Sequence, residues 1–136
     1  MKIGLVRRGY SPTGGAERFL GRFAEGLRRL GHETVLFSDR VWPQRAWDSS
    51  AGKQVRLSGA GSRMTPLAFA DALEASKPKD HCDFLFSVER VWNCEAYRAG
   101  DGVHRAWLQR RAQFEAPWRT WFRARQAKHR QLLDLE

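Results

Sequence analysis

The first 38 residues alternate between a strand-like and a helix-like spacing of apolar positions. The continuous apolar run Ile3 to Val6 predicts a buried strand, and the glycine-rich residues 7–15 after it predict a loop. Apolar side chains then fall on one helical stripe from Ala16 to Leu30, and Gly31 is expected to end that helix in the left-handed conformation. The β-branched and aromatic run Glu33 to Ser38 predicts a second strand. Together these elements predict a βαβ unit with parallel strands.

The remaining pattern extends this unit into a larger sheet. Asp39 to Gly61 shows no steady period, which predicts a long irregular insertion with a short strand at Gln54 to Leu57. Thr65-Pro66 is typical of an N-cap followed by proline at the first helical position, and so predicts a second helix. Cys82 to Val88 predicts a strand buried on both faces, and Glu95 to Ala99 a weaker one. We expect an α/β fold: a Rossmann-like, open, mostly parallel sheet of four or five strands flanked by helices.

The character of the chain changes near residue 104. Residues 105–130 hold eight arginines or lysines but only one acidic residue, interleaved with five tryptophans and phenylalanines. Two helices broken at Pro117 fit this stretch, since proline interrupts a helix. We therefore predict an α/β lobe over residues 1–103 and a basic, aromatic-rich helical extension over residues 104–136.

Composition narrows the class of protein. The chain has 136 residues, 42% of them hydrophobic, and a formal net charge of +9. This is enough for one real core, which argues against disorder and against a disulfide scaffold. The apolar runs are all shorter than the roughly 18 residues that span a bilayer, and no signal-peptide core is evident, so we expect a cytoplasmic protein. Cys82 and Cys94 have no zinc-ligand spacing and are expected to be reduced, buried thiols.

Gly14-Gly15 lies between the first strand and its helix. In α/β sheets this is where phosphate binds, because unpaired amides and the positive end of the helix dipole converge there. Glycines without β-carbons let an anionic or sugar ligand approach the main chain, although the pair also permits a sharp turn without any ligand. The Gly-x-Gly-x-x-Gly fingerprint and the Walker Gly-Lys-Ser/Thr motif are both absent, which argues against a dehydrogenase and a P-loop enzyme.

Three segments in this order resemble the opening of the group 1 (family 4) retaining glycosyltransferases of the GT-B type. They are the strand Lys2 to Val6, the motif Gly14-Gly15-Ala16-Glu17-Arg18 at the start of the helix, and Leu30 to Val35, which contains Gly-His-Glu before the second strand. The resemblance covers about the first 38 residues well and the rest in outline.

This resemblance implies two Rossmann-like lobes facing each other across a cleft. The amino-terminal lobe would hold a sugar or glycolipid acceptor, and its Gly-Gly loop would reach the diphosphate of a nucleotide-sugar donor. Gly14 and Gly15 carry over as substrate-binding residues, and Glu17 and Arg18 match less closely. The implied reaction is sugar transfer with retention of configuration in the biosynthesis of a bacterial surface glycan or lipopolysaccharide. Neither a cofactor nor a metal is expected, because the nucleotide sugar is a substrate.

The chain departs from that family in one respect. The family's carboxy-terminal lobe binds the donor through a Glu-x7-Glu arrangement, and 136 residues leave no room for it. Glu17 and Glu25 have this spacing, but they lie two turns apart on one helix, so we regard it as coincidence. We therefore expect an acceptor lobe that is inactive by itself and shares its donor with a missing lobe.

A second candidate site follows the last predicted strand, in Gly100-Asp101-Gly102-Val103-His104. Family members often place a histidine near the acceptor after such a strand. Asp101 could accept a hydrogen bond from a sugar hydroxyl, and His104 could orient one or ease proton transfer, so both are candidate catalytic residues. A plain Gly-Asp-Gly turn is the alternative. Glu89, just past the buried strand, could also bind substrate, or it could be a surface carboxylate paired with Arg90.

The basic extension leaves the choice of partner open. Arginine binds phosphate bidentately and tryptophan suits a headgroup layer, so an anionic membrane or a phosphorylated glycolipid would fit. Nucleic acid would satisfy the same composition, and a small basic α/β nucleic-acid-binding module is therefore the rival hypothesis, although we expect nucleic acid to be the less favoured partner. The third alternative is a solvated helix whose tryptophans pack on the core or on the missing lobe.

Overall fold

The computed structural model describes residues 1–48, 50–57, 64–100, 102, 104–114 and 126–135. The strands are β1 (Lys2–Val6), β2 (Glu33–Ser38), β3 (Lys53–Arg56), β4 (Phe84–Ser87) and β5 (Ala96–Tyr97). The helices are α1 (Gly15–Arg29), α2 (Pro66–Ala75), α3 (His104–Ala112) and α4 (Ala127–Asp134), with a 3-10 turn at Pro78–Asp80. The candidate residue Asp101, the boundary at Val103 and the helix break at Pro117 lie outside the described residues.

The five strands form one sheet in the order β3-β2-β1-β4-β5, and every pairing is parallel. Ile3 of β1 lies beside Thr34 of β2 on one side and Phe84 of β4 on the other. This confirms the predicted Rossmann-like fold class. The strand order reverses between β1 and β4, and such a switch point opens a crevice at the carboxyl ends of the two strands.

Two apolar layers cover the two faces of the sheet. The α1 face is built from a cluster of buried residues: Ile3, Leu5, Leu20, Ala24, Leu36, Trp42 and Trp47. The α2 face has its own cluster: Val6, Val35, Phe37, Leu57, Phe69, Leu73, Cys82 and Leu85. Consecutive strand residues point to opposite faces, so each central strand contributes to both clusters, as strands covered on both sides must.

The ends of α1 and α2 follow their predicted capping chemistry. Gly31 has a φ of +81°, the left-handed conformation that ends α1. The hydroxyl of Thr65 accepts a hydrogen bond from the Ala68 amide at 3.2 Å, and Pro66 occupies the first helical position of α2. Both helix predictions are confirmed: α1 begins and ends within one residue of the expected bounds, and α2 begins at Pro66 as expected.

The segment predicted as an irregular insertion contributes to the core. Trp42 and Trp47 are buried in it, and their indole N–H groups donate at 2.9 Å to the carbonyls of Gly9 and Gly52. Hydrophobic periodicity does not detect this arrangement, because two large rings anchored by single hydrogen bonds need no regular backbone.

The crossover from β4 to β5 is unusually short. Only residues 88–95 connect these parallel strands, and they contain no helix, whereas parallel connections commonly use a dozen or more residues and a helix. Val91 and Cys94 in this segment pack against the α2-face cluster, and α4 packs against α2 and α3.

No helix in the described part of the chain is both long and apolar enough to cross a membrane.

Candidate functional site

A cleft of about 420 Å³ lies at the carboxyl ends of β1 and β4, at the switch point of the sheet. Its lining comes from the loop after β1, the first turn of α1, the segment after β4 and the segment after β5. The lining residues are Arg7, Gly14, Gly15, Ala16, Glu17, Val88, Glu89, Arg90, Tyr97, Arg98 and Gly100. Ligands of open α/β sheets bind in this position, so the cleft is the candidate site.

The start of α1 presents free amides to this cleft. The Gly14 amide is engaged, donating to the Ser11 carbonyl at 3.1 Å. Among the described residues, the amides of Gly15, Ala16 and Glu17 find no acceptor. A Cβ placed on Gly15 would meet no heavy atom within 4 Å, so the main chain there faces open space. These donors, with the positive end of the helix dipole, can receive an anion.

The side chain of Glu17 folds back over the helix start. Its Oε1 accepts hydrogen bonds from Arg7 Nε at 3.2 Å and from Arg7 Nη2 at 3.1 Å. The carboxylate is buried, with 5% of the side chain exposed, and its Oε2 has no hydrogen-bond partner. A Cβ on Gly14 would lie 1.8 Å from this Oε2. The absence of a side chain at Gly14 therefore makes room for Glu17, and not for a ligand.

Arg7 joins Glu17 to a second carboxylate across the cleft. Its Nη1 lies 2.5 Å from Oε1 of Glu89, which follows β4. Burial raises the pKa of Glu89, against the opposing effect of the Arg7 and Arg8 charges. The Ser87 hydroxyl donates to the Glu89 carbonyl and accepts from its amide, which fixes the backbone at this point. One guanidinium thus connects the ends of two neighbouring strands.

Two further arginines line the opposite wall. Arg90 Nη2 donates to the Gly102 carbonyl at 3.0 Å, and the Arg98 guanidinium lies 4.3 Å from the centre of the Phe19 ring. With Arg7, the lining contains three arginines and two glutamates. The positive excess suits an anionic ligand, because arginine presents planar donor pairs that match phosphate oxygens.

The structure brings together four of the seven predicted site residues. Gly14, Gly15, Glu17 and Glu89 all line the cleft. Arg18 is exposed on the first turn of α1 and is not part of the lining.

The two predicted catalytic positions are described only in part. Asp101 lies outside the described residues, but Gly100 beside it lines the cleft. His104 is the first residue of α3, and its side chain is not described. Both roles stay predictions.

Sequence reasoning missed the three arginines of the cleft. Arg7 follows β1 directly, and Arg90 and Arg98 follow β4 and β5, so all three come just after a strand at the same edge of the sheet. That position was a usable signal, since the carboxyl ends of parallel strands meet at one edge.

In the described part of the chain, no group of three or more histidine, cysteine or acidic side chains is arranged to hold a metal ion.

The sequence matches no protein-family profile, and it matches no curated protein. Its fold is similar to the crystal structure of WaaG, a glycosyltransferase involved in lipopolysaccharide biosynthesis, with a TM-score of 0.70 and 16% sequence identity over 98% of this chain. It is also similar to a glycosyltransferase from Rickettsia africae ESF-5, with a TM-score of 0.47 and 19% identity over 71% of this chain. The chain spans 34% of the length of the first protein and 28% of the second. At these identities the likeness to WaaG establishes the Rossmann-like fold.

Proposed function

We propose that this chain is the acceptor-binding, amino-terminal lobe of a nucleotide-sugar-dependent retaining glycosyltransferase that builds a bacterial surface glycan or lipopolysaccharide. The observation that carries the proposal is Gly15 in the lining of a cleft that contains three arginines: its amide finds no acceptor among the described residues, and its side-chain face is open. The similarity to WaaG supports it, as does the resemblance of the Gly14-to-Arg18 motif to that of the family 4 enzymes.

In this proposal the donor and the acceptor bind to different parts of the cleft. The amides of Gly15 and Ala16 bind the donor's diphosphate, whose negative charge grows as the sugar leaves. Asp101 or His104, with Glu89 further along the cleft, binds the accepting hydroxyl. Transfer breaks the bond from the anomeric carbon to the diphosphate oxygen and forms one to the acceptor oxygen, whose proton passes to the departing diphosphate, with retention and without a protein nucleophile. The second lobe supplies most donor contacts, so the chain alone is inactive.

The basic extension is proposed to touch an anionic membrane on the cytoplasmic side. Phe114, at the end of α3, is 82% exposed, and Trp107 on the same helix is 40% exposed beside Arg110 and Arg111. Exposed aromatic rings interleaved with cations suit a headgroup layer.

Vesicle flotation tests this contact with the whole chain. Phosphatidylglycerol vesicles should carry the protein upward and phosphatidylcholine vesicles should not, while Phe114→Ser should weaken flotation several-fold. Leu30→Ser is the matched control, because Leu30 is 75% exposed on α1's far end. Equal flotation of both variants, or none for the wild type, would contradict the membrane contact.

The diphosphate site is tested by nuclear magnetic resonance of the ¹⁵N-labelled chain titrated with uridine diphosphate and with pyrophosphate. We expect the Gly15 and Ala16 amides to shift at millimolar ligand. Gly15→Ala should weaken binding several-fold, since its methyl group occupies the open space. Gly26→Ala on the same helix, where a Cβ also meets nothing within 4 Å, should bind like the wild type. Unshifted Gly15 and Ala16 amides, or equal binding by both variants, would overturn the site.

An activity assay tests the lobe assignment separately. The 136-residue chain should transfer no sugar from a panel of nucleotide sugars. Robust turnover by this chain alone would show that no second lobe is needed.

A further inference from the structure

A second and larger cavity, of about 670 Å³, lies between the end of α2, the Pro78–Asp80 turn and the β4–β5 crossover. Its volume falls within the range of about 300–1,000 Å³ that is typical of small-molecule sites. The crossover that forms one side of the cavity contains no helix.

Trp92 gives this cavity an aromatic wall. The side chain is 42% exposed, which is unusual for so large an apolar ring. Its indole N–H donates to Asp71 Oδ1 on α2 at 2.8 Å, so the ring is held in one orientation. A partly exposed indole restrained by this hydrogen bond complements a ligand that has an apolar face and polar edges.

Some polar side chains of the cavity are bonded to one another and keep further lone pairs and N–H groups. Lys79 pairs with Glu95, whose second carboxylate oxygen accepts from the Leu85 amide at 2.7 Å. Glu74 accepts from the Asn93 side-chain amide at 2.8 Å. The lining holds three acidic and two basic residues in all, and therefore has no positive excess for a phosphate group. These groups instead offer lone pairs and N–H donors to a neutral, hydroxyl-rich ligand.

This cavity and the cleft share one short segment. Arg90 lines the cleft, and Trp92, two residues later, lines the cavity. Two residues of extended chain span at most about 7 Å between their Cα atoms. A residue in the wall of the cleft and one in the wall of the cavity therefore lie within about 7 Å of each other.

We propose that the Trp92 cavity is a saccharide subsite, in which a neutral sugar ring stacks on the indole while its hydroxyl groups bond to Asn93 and the neighbouring carboxylates. Resting on the proposed function, this makes the acceptor an oligosaccharide, with its distal sugar on Trp92 and its accepting hydroxyl in the cleft.

The test titrates the ¹⁵N-labelled chain with maltotriose and with cellotriose, and reads the Trp92 indole N–H and the Asn93 side-chain amide. Both resonances should shift saturably at millimolar saccharide, and inorganic phosphate should leave them unchanged. Unshifted Trp92 and Asn93 resonances with both saccharides would overturn the subsite, as would a response to phosphate alone.

Matched variants distinguish binding at a specific site from nonspecific binding to exposed aromatic rings. Trp92→Ala should weaken binding at least tenfold, and Asp71→Ala, which frees the ring without removing it, several-fold. Trp107→Ala is the control, because Trp107 is similarly exposed but lies outside the cavity. Equal weakening by Trp107→Ala would overturn the subsite.

The diphosphate titration distinguishes the two proposals. Shifts at Gly15 with uridine diphosphate, combined with no shift at Trp92 with either saccharide, would refute the subsite and leave the glycosyltransferase proposal in place. Saccharide binding at Trp92 without any diphosphate response at Gly15 would refute the donor site alone.

Discussion

Gly14 and Glu17 are in contact at the start of α1: a Cβ on Gly14 would lie 1.8 Å from Glu17 Oε2. Gly14 has a φ of −68°, which any residue adopts, so its glycine is required by space and not by backbone conformation. Gly15 has open space on its side-chain face. The adjacent glycines thus have separate purposes, one accommodating a buried carboxylate and the other exposing main chain to the cleft.

This difference predicts opposite effects of the same substitution at neighbouring positions. Gly14→Ala should lower the free energy of unfolding by about 1–3 kcal/mol, because the methyl group displaces Glu17 from Arg7. Gly15→Ala should leave stability unchanged or raise it by about 0.4–1 kcal/mol, because the unfolded chain loses conformational freedom. Urea unfolding measures both. Equal stabilities for the two variants would contradict the contact between Gly14 and Glu17.

Arg7 should be the most sensitive charged residue of the cleft. Arg7→Met leaves the buried carboxylate of Glu17 and the partly buried carboxylate of Glu89 without their guanidinium. Breaking a fully buried pair costs about 3–5 kcal/mol, and because Arg7 and Glu89 are partly exposed we expect a loss of about 1–3 kcal/mol. Thermal and urea unfolding should both show the loss. The double variant Arg7→Met with Glu89→Gln should recover part of it, since one unpaired charge is removed. A stability of Arg7→Met within about 0.5 kcal/mol of the wild type, as for an ordinary surface substitution, would refute this role.

The raised pKa of Glu89 predicts a pH dependence of stability with a definite sign. Burial is the main cause of the shift from the ordinary value of 4.5, so the folded protein holds the proton more tightly than the unfolded chain does. The stabilisation from this proton is fully present below the ordinary pKa and is lost as the pH rises through the raised pKa of the folded state. Glu89→Gln has no proton to lose, so its stability should rise relative to the wild type across that window.

Unfolding curves of both proteins from pH 4 upward measure this difference. The Gln variant should match the wild type at the acid end and exceed it at neutral pH. A Gln variant that is clearly less stable than the wild type at neutral pH would show that the Arg7 pair outweighs burial.

The helices and their ends were predicted well because the features that determine them are local in the sequence. The apolar stripe of α1, the cap at Thr65 and the glycine at Gly31 each act within a few residues, and each is confirmed. The Arg7–Glu89 pair joins residues that are 82 positions apart, so no local pattern contains it. Trp92 was not predicted as a site residue for the same reason, since its hydrogen-bond partner Asp71 lies on α2.

A close contact inside the sheet also depends on distant residues. A Cβ on Gly4 in β1 would lie 2.6 Å from Cys82 Sγ and 2.7 Å from a Leu85 methyl group. Gly4→Ala should therefore destabilise the protein by about 1–3 kcal/mol through overpacking. Cys82→Ala in the same chain should recover part of this loss, because it removes the nearest atom. Additive losses in a double-mutant cycle from urea unfolding would show that the two sites are independent.

The rival function, nucleic-acid binding, is tested by the salt dependence of binding to oligonucleotides. A net charge of +9 attracts any polyanion at low salt, but the proposed site binds the two phosphates of a donor and not a continuous phosphate backbone. We therefore expect binding to duplex and single-stranded oligonucleotides to be weak and to vanish near physiological salt. Fluorescence anisotropy at two salt concentrations measures this. Binding that persists at physiological salt, with log affinity falling by about 0.9 per phosphate contacted on duplex DNA, would favour the nucleic-acid module instead.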